Sequence, residues 1–348
     1  MQNSASILRS SPSSFTNIAR VLPLARIAVA AAGFLTATAF VVAIPAQAGA
    51  DTAPTNHWLT DRVLDMAHAG GESEAPTNTM YAFKRAVKLG ADMLELDIES
   101  TKDNQIVVYH SATLGGTTPS NANISTLTLK QVQKLDDAYY FTTDASAKLK
   151  NPAKKYPFRG IATGKKKPPK GYQASDFRIS TLAQVFRQFP HTPINIEIKG
   201  LADDNLASFE HNADLLAAFL NQSKRTDVIV VSFNDDALKY FHTLAPQIGL
   251  APGMSALQAY YFNHTLPIDG TVALQVPVYY NGLLVVTPDL VAQAHADGYA
   301  VDVWFDPGWG NDDRATYEMV LDAGVDGVMA GKPTLLEQIF KERGTPHP

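Results

Sequence analysis

The sequence predicts an α/β chain of the (β/α)8 TIM-barrel class, on three grounds. Eight short, β-rich apolar runs recur between residues 63 and 330. Segments with helical spacing separate most of them. The runs are almost continuously apolar, as strands covered on both faces must be. A doubly wound open sheet is the alternative, because strand closure leaves no mark on a sequence.

In chain order, VLDMAH (63–68) is the first strand, and the helical repeat over 79–89 returns the chain towards MLELDI (93–98). Gly90 follows that repeat, where a left-handed helix cap favours glycine. No helix follows the second strand. A turn at Asp103-Asn104 leads into QIVVYH, which predicts a β-hairpin with Asp97 opposite His110. Residues 111–180 are far longer than an ordinary βα connection and read as a functional insertion before the third strand, over one end of the barrel. Within it, the basic loop 165–170 (KKKPPK) is either a solubility feature or a surface for anionic lipid head groups.

The remaining strands are INIEIK (194–199), VIVVSF (228–233), IGLAPG (248–253), VALQVP (272–277), AVDVWF (300–305) and GVMA (327–330). Helical spacing occupies 206–220, 235–244, 288–297 and 314–323, the last two followed by Gly298 and Gly324.

The first fifty residues differ. Arg9, Arg20 and Arg26 precede an apolar run over 27–44, and Ala46-Gln47-Ala48 has the small-x-small pattern of a cleavage site. This predicts an export signal over 1–48, cleaved after Ala48 or at the neighbouring Ala50, and a single barrel domain over 49–348 that is periplasmic or extracellular. An uncleaved membrane anchor is the alternative reading of so long an apolar run. Of the 348 residues, 45% are hydrophobic and 18% charged, enough for a full core. A net charge of −5 gives no reason to expect a nucleic-acid partner. The absence of cysteine removes thiolate metal sites, disulfides and thiol nucleophiles, so any metal must be held by oxygen or imidazole.

Catalytic groups of a parallel barrel sit at the C-terminal strand ends. His68, Glu95, Asp97, Glu197 and Lys199 all fall there. Three carboxylates on neighbouring strands repel one another, and a divalent cation resolves the conflict. An all-oxygen set of Glu95, Asp97 and Glu197 suits Ca2+ or Mg2+ better than Zn2+. His68 and His110 would flank a metal-bound phosphate as a proton-transfer pair, and Lys199 would balance its charge. Phe233 and Trp304 are candidate pocket walls. Tyr139, Tyr140, Trp309 and the run Tyr260-Tyr261-Phe262 are rim candidates.

At these residues the chain resembles the glycerophosphodiester phosphodiesterase family. AHAGGESEAPTNTMYAFKRAV (67–87) is similar to the family's His-Arg-Gly and Pro-Glu-Asn-Thr segments, and LELDIESTKDNQIVVYHSATLGGTT (94–118) to its Glu-Leu-Asp hairpin. NIEIKG (195–200), VVSF (230–233), VDVWF (301–305) and GVDGVMAGKP (324–333) follow in family order. The resemblance implies a barrel that hydrolyses glycerophosphodiesters to glycerol 3-phosphate and an alcohol with a divalent cation. It gives His68 and His110 the acid and base positions, Glu95, Asp97 and Glu197 the metal, and Lys199 the phosphate. Two positions depart from the pattern. Ala69 stands where the family has arginine, which removes a bidentate phosphate contact, and Thr77 stands where it has glutamate. Glu72 and Glu74 are candidates for the missing carboxylate. Two other functions fit the residues: a phospholipase D-like hydrolase of lyso- or intact lipids with peripheral membrane contact, and a phosphoester-binding barrel without turnover.

Overall fold

A computed structural model describes residues 56–59, 62–143, 149, 151–305 and 311–345. The expected leader, its cleavage site and Trp309 lie outside them. Eight parallel strands form the barrel wall: β1 (Leu64–Ala67), β2 (Met93–Ser100), β4 (Ile194–Ile198), β5 (Val228–Val231), β6 (Gly249–Ala251), β7 (Ala273–Pro277), β10 (Ala300–Trp304) and β11 (Gly327–Met329). Hydrogen bonding runs β6-β5-β4-β2-β1-β11-β10-β7. At the remaining seam the Leu250 N–H donates to the Gly270 carbonyl and the Val272 N–H to the Leu250 carbonyl, both at 2.9 Å, so the cylinder is nearly closed.

The two-residue period of the strands sorts their side chains. Met66, Met93, Ile229, Val231, Ala251, Ala273, Ala300 and Met329 pack inside the barrel. The alternate residues, among them Leu94, Leu96, Ile98, Ile196 and Val230, pack outward in one core and Leu274, Val276, Val301 and Val303 in another. Both faces are largely apolar, which is why the strands read as nearly continuous hydrophobic runs. Helices cover the wall: α1 (Met80–Leu89), α3 (Leu182–Gln188), α4 (Leu206–Ser223), α5 (Asp235–Leu244), α6 (Met254–Asn263), α7 (Pro288–Ala296), α8 (Arg314–Asp322) and α9 (Pro333–Arg343). A single turn, α2 (Leu129–Val132), lies in the insertion. Of these, α2, α3, α6 and α9 carry no expectation from sequence spacing.

The hairpin forms between β2 and β3 (Ile106–Val108), but its register differs by one residue from expectation. Ile98 pairs with Val108, and the Tyr109 N–H donates to the Asp97 carbonyl at 2.9 Å. Tyr109, not His110, therefore opposes Asp97. The turn is wider than two residues: the Thr101 N–H donates to the Gln105 carbonyl, and Asn104 takes a left-handed φ of 57°. A small antiparallel pair, β8 (Tyr279–Tyr280) and β9 (Leu283–Leu284), follows β7.

The insertion packs on its own aromatic cluster, with Tyr81 of α1 against Phe158, Tyr172 and Phe177. Arg159 lies 3.9 Å from the ring centres of both Tyr139 and Tyr156, so Tyr139 is engaged within the insertion. Tyr260 is a second correction. It is 1% exposed and donates to Asp297 at 2.6 Å, so it is core, because α6 turns it inward.

Candidate active site

The register between β2 and β4 places Asp97 directly beside Glu197 and Glu95 beside Asn195. Glu95 and Asp97 are two apart on one strand, so both project inward. The result is a buried set of Glu95, Asp97 and Glu197 whose ligand atoms lie within 4.8 Å of one another. It is the one group of three or more potential metal ligands among the described residues.

Every group around this set is oriented. The Ala69 N–H donates to Glu95 at 2.7 Å, and Asn78 donates to Asp97 at 2.7 Å while accepting from the Asp97 N–H at 3.3 Å. Lys199 lies 3.1 Å from Asp97 and 2.5 Å from Glu197. The Asn212 amide holds the strand end that carries Lys199, donating to its carbonyl at 2.8 Å and to Glu99 at 3.1 Å. His68 follows β1 directly; its Nδ1 is 2.8 Å from Glu72 and its Nε2 3.9 Å from Glu95.

Charges in so dry a place shift one another. Burial pushes the Glu95 carboxyl up to about 8, with Asp97 and Glu197 adding to it and His68 opposing. Burial also raises Glu197, against the pull of Lys199. Asp97 goes the other way: burial opposes its charge, but Lys199, His110 and Asn78 hold it down at about 2. Burial works against a charged His68, yet Glu72 and Glu95 outweigh it and lift the imidazole to about 10. Lys199 is likewise held charged by Asp97 and Glu197 despite burial. Three carboxylates thus exceed the two positive charges of His68 and Lys199 beside them. An oxygen-only donor set in charge deficit fits a divalent cation.

These groups line a cavity of about 210 Å3 with His110, Phe233, Trp304, Asn195 and Gln275. All eight site residues expected from the sequence meet around it. Phe233 and Trp304 face each other at 5.7 Å between ring centres, and the Lys199 ammonium lies 5.5 Å from the Phe233 ring. Beyond His110 lies a second cavity of about 450 Å3, lined among others by Glu72, Thr77, Tyr109, Asp312 and Lys332.

Of the two candidate carboxylates, Glu72 is the one that reaches His68. Glu74 instead binds Arg85 at 2.8 Å and Thr334 at 2.6 Å, tying α1 to α9. Ala69 sits at a left-handed φ of 46° and is 4% exposed. Sequence reasoning overlooked Asn78 as a partner of Asp97, and the pair Asn195 and Gln275 on the cavity floor. Gln275 donates to Asn195 at 2.9 Å and to Asp302 at 3.2 Å. Polar residues at inward strand positions, Asn195, Gln275 and Asp302, were the available signal.

Comparisons with known proteins bear on the family and the fold. The glycerophosphoryl diester phosphodiesterase family matches residues 68–335. A glycerophosphodiester phosphodiesterase of Caldanaerobacter subterraneus is 28% identical over 81% of this chain and 100% of its own. Human lysophospholipase D GDPD1 is 27% identical over 79% of this chain and 85% of its own. Among solved structures, a putative glycerophosphoryl diester phosphodiesterase from Silicibacter pomeroyi superposes with a TM-score of 0.63 at 18% identity, covering 83% of this chain and 97% of that one. An Oleispira antarctica phosphodiesterase in complex with sn-glycerol-3-phosphate gives 0.59 at 20%, covering 80% and 97%. The two structures show the fold, and the match over most of the chain shows the class: this protein is a phosphodiesterase of the glycerophosphoryl diester phosphodiesterase family.

Proposed function

We propose that this enzyme hydrolyses glycerophosphodiesters to glycerol 3-phosphate and an alcohol, with one divalent cation, Ca2+ or Mg2+, held by Glu95, Asp97 and Glu197. The carrying observation is the buried carboxylate set with its ligand atoms within 4.8 Å, bordered by a lysine and a histidine whose partners keep both charged. When bound, such a cation neutralises phosphate charge and polarises its P–O bonds. Lys199 adds a fixed positive charge to the same oxygens. His68 stands protonated against Glu72 and is the group to give a proton to the leaving alcohol. His110, at the mouth between the two cavities, is the group to take one from the nucleophile. Phe233 and Trp304 wall the substrate. Ala69 costs the site one phosphate contact and leaves the three carboxylates and both histidines in place.

The test is turnover of glycerophosphocholine with and without chelator, in the wild type and in His68→Ala. Metal-dependent hydrolysis lost on chelation and reduced by at least about 100-fold in the variant supports the reading. Binding of the ester without turnover would make the chain a phosphoester-binding barrel. The export reading of 1–48 is a proposal of the same kind, and a secreted protein whose first residue is Gly49 is the outcome that supports it.

A further inference from the structure

Inward positions of four strands carry a polar band across the barrel lumen that the proton transfers leave unused. Glu95 of β2 lies beside Asn195 of β4 in register, and Gln275 of β7 lies beside Asp302 of β10. Asn195, Gln275 and Asp302 are all buried, so their polar atoms need partners inside the protein. They find one another. Gln275 Nε2 donates to Asn195 Oδ1 at 2.9 Å and to Asp302 Oδ2 at 3.2 Å, while Gln275 Oε1 accepts from Asn195 Nδ2 at 3.3 Å. The barrel makes room for the last member: Gly327 of β11 lies beside Asp302, where any Cβ would collide with the carboxylate Oδ1.

A side-chain amide that turns by half a revolution exchanges donor and acceptor with no change of shape, so its partners set its direction. An ionised Asp302 only accepts. It draws the Nε2 end of Gln275 towards itself and, through the reciprocal pair of bonds, fixes Asn195 as well. Both Nε2 hydrogens of Gln275 are then used, and Asn195 Nδ2 keeps one to spare. Asn195 and Gln275 both line the cavity of the carboxylates. A protonated Asp302 reverses the order: its O–H donates to Gln275 Oε1, both amides turn over, and the oxygen of Asn195 takes the place of its nitrogen. Burial lifts the Asp302 carboxyl to about 7, against the Gln275 hydrogen bond and with Asp326 adding, so both states occur near neutral pH. Among the described residues, the charge acting on it is that of Asp326, ahead of β11, which is itself tied to His295 of α7 at 2.7 Å. From β7 it faces the neutral Gln275, and Glu95 stands beyond Asn195.

We propose that Asn195 is a further substrate-contacting residue, giving its spare N–H to an oxygen of the phosphodiester, and that Gln275 and Asp302 are positioning residues that hold this N–H in place. The inference rests on the phosphate position proposed above and adds a donor on the cavity floor with the pair behind it. Two pH effects are thereby separate: the histidines move protons, whereas Asp302 sets how tightly the ester is held.

The experiment measures KM and kcat for glycerophosphocholine, a diester that does not itself titrate, from about pH 8 to about pH 5.5 at saturating Ca2+ or Mg2+. KM of the wild type rises about tenfold on acidification, the loss of one hydrogen bond to a charged group. Asn195→Ala and Gln275→Met show the weaker KM at both ends, with kcat changed by less than about threefold. Asp302→Asn, which can accept or donate, gives an intermediate KM indifferent to pH. Gln275→Met keeps Asp302 but cuts its link to Asn195, so a dependence that survives there overturns the positioning pair and leaves the phosphate reading standing. Wild-type KM in Asn195→Ala at about pH 8 overturns the contact. A second readout needs no turnover: in the isotope-labelled, metal-free protein the side-chain amide signals of Asn195 and Gln275, assigned by their loss in the variants, move together with pH in the wild type and stand still in Asp302→Asn. Wild-type signals that ignore pH overturn the positioning pair, whatever the enzyme hydrolyses. A wild type that hydrolyses no ester fails the phosphate reading and the Asn195 contact together, while moving amide signals would still establish the coupling of Asp302 to Asn195.

Discussion

His68 shows how much of this site depends on one side chain beside another. Its imidazole is kept charged by Glu72 and Glu95 against the cost of burial. Removing one of those charges must lower its pKa. Glu72→Gln is therefore expected to move the alkaline limb of the kcat/KM profile to lower pH, because the proton to be donated is lost earlier. A pH-rate profile checks it; an unmoved limb would show that Glu72 does not hold that proton. Asn78 is the second such residue. It sits at a left-handed φ of 58°, 2% exposed, and exchanges two hydrogen bonds with Asp97. Asn78→Ala removes a donor from one buried oxygen of Asp97 and an acceptor from its N–H, and is expected to cost roughly 2–4 kcal/mol on urea unfolding. Asn78→Asp, which puts a like charge on Asp97, should lower activity further than it lowers stability.

Among elements, β10 carries an instructive tension. Asp302 projects inward from it, 3% exposed, with Gln275 as its donor. Burial lifts its carboxyl to about 7 from an ordinary 3.8, so the folded state holds a proton that the unfolded chain releases. A raised folded pKa means that its contribution is complete below about pH 4 and lost as pH climbs through about 7. Asp302→Asn keeps the shape and removes the titration. Its stability is expected to exceed that of the wild type at pH 8 by up to about 4 kcal/mol, with the difference shrinking towards pH 4. Denaturant melts at the two pH values decide it; parallel curves would place Asp302 outside the titrating set. The hairpin teaches a related point about elements. Its strands were legible from IVV and LELDI, whereas its register was decided by the hydrogen bonds of Thr101 and by Asn104, which a reading of two turn residues passes over.

For the whole molecule, the charge deficit at Glu95, Asp97 and Glu197 couples the site to folding. A cation that binds only the folded barrel stabilises it by about 2.7 kcal/mol at a hundred times its Kd. Thermal melts of the chelated enzyme should therefore rise by several degrees as Ca2+ or Mg2+ is added, and the rise should vanish in Glu197→Gln. A melting point indifferent to both metals would remove the cation from the site.

Sequence alone determined the alternation of strand and helix and the residues of chemical interest, because a buried parallel strand has to be apolar throughout and any carboxylate or imidazole within it stands out. Leu94, Leu96 and Ile98 announce a wall with two covered faces, and Glu95 and Asp97 announce a site between them. Only the tertiary structure decided who touches whom. It set Glu197 beside Asp97 through the register of two strands a hundred residues apart, gave Glu72 to His68 and Glu74 to Arg85, and turned Tyr260 into the core. It also joined Asn195, Gln275 and Asp302 across the barrel lumen. Those outcomes follow from barrel geometry and from which helix face meets the sheet, and neither is carried by local spacing.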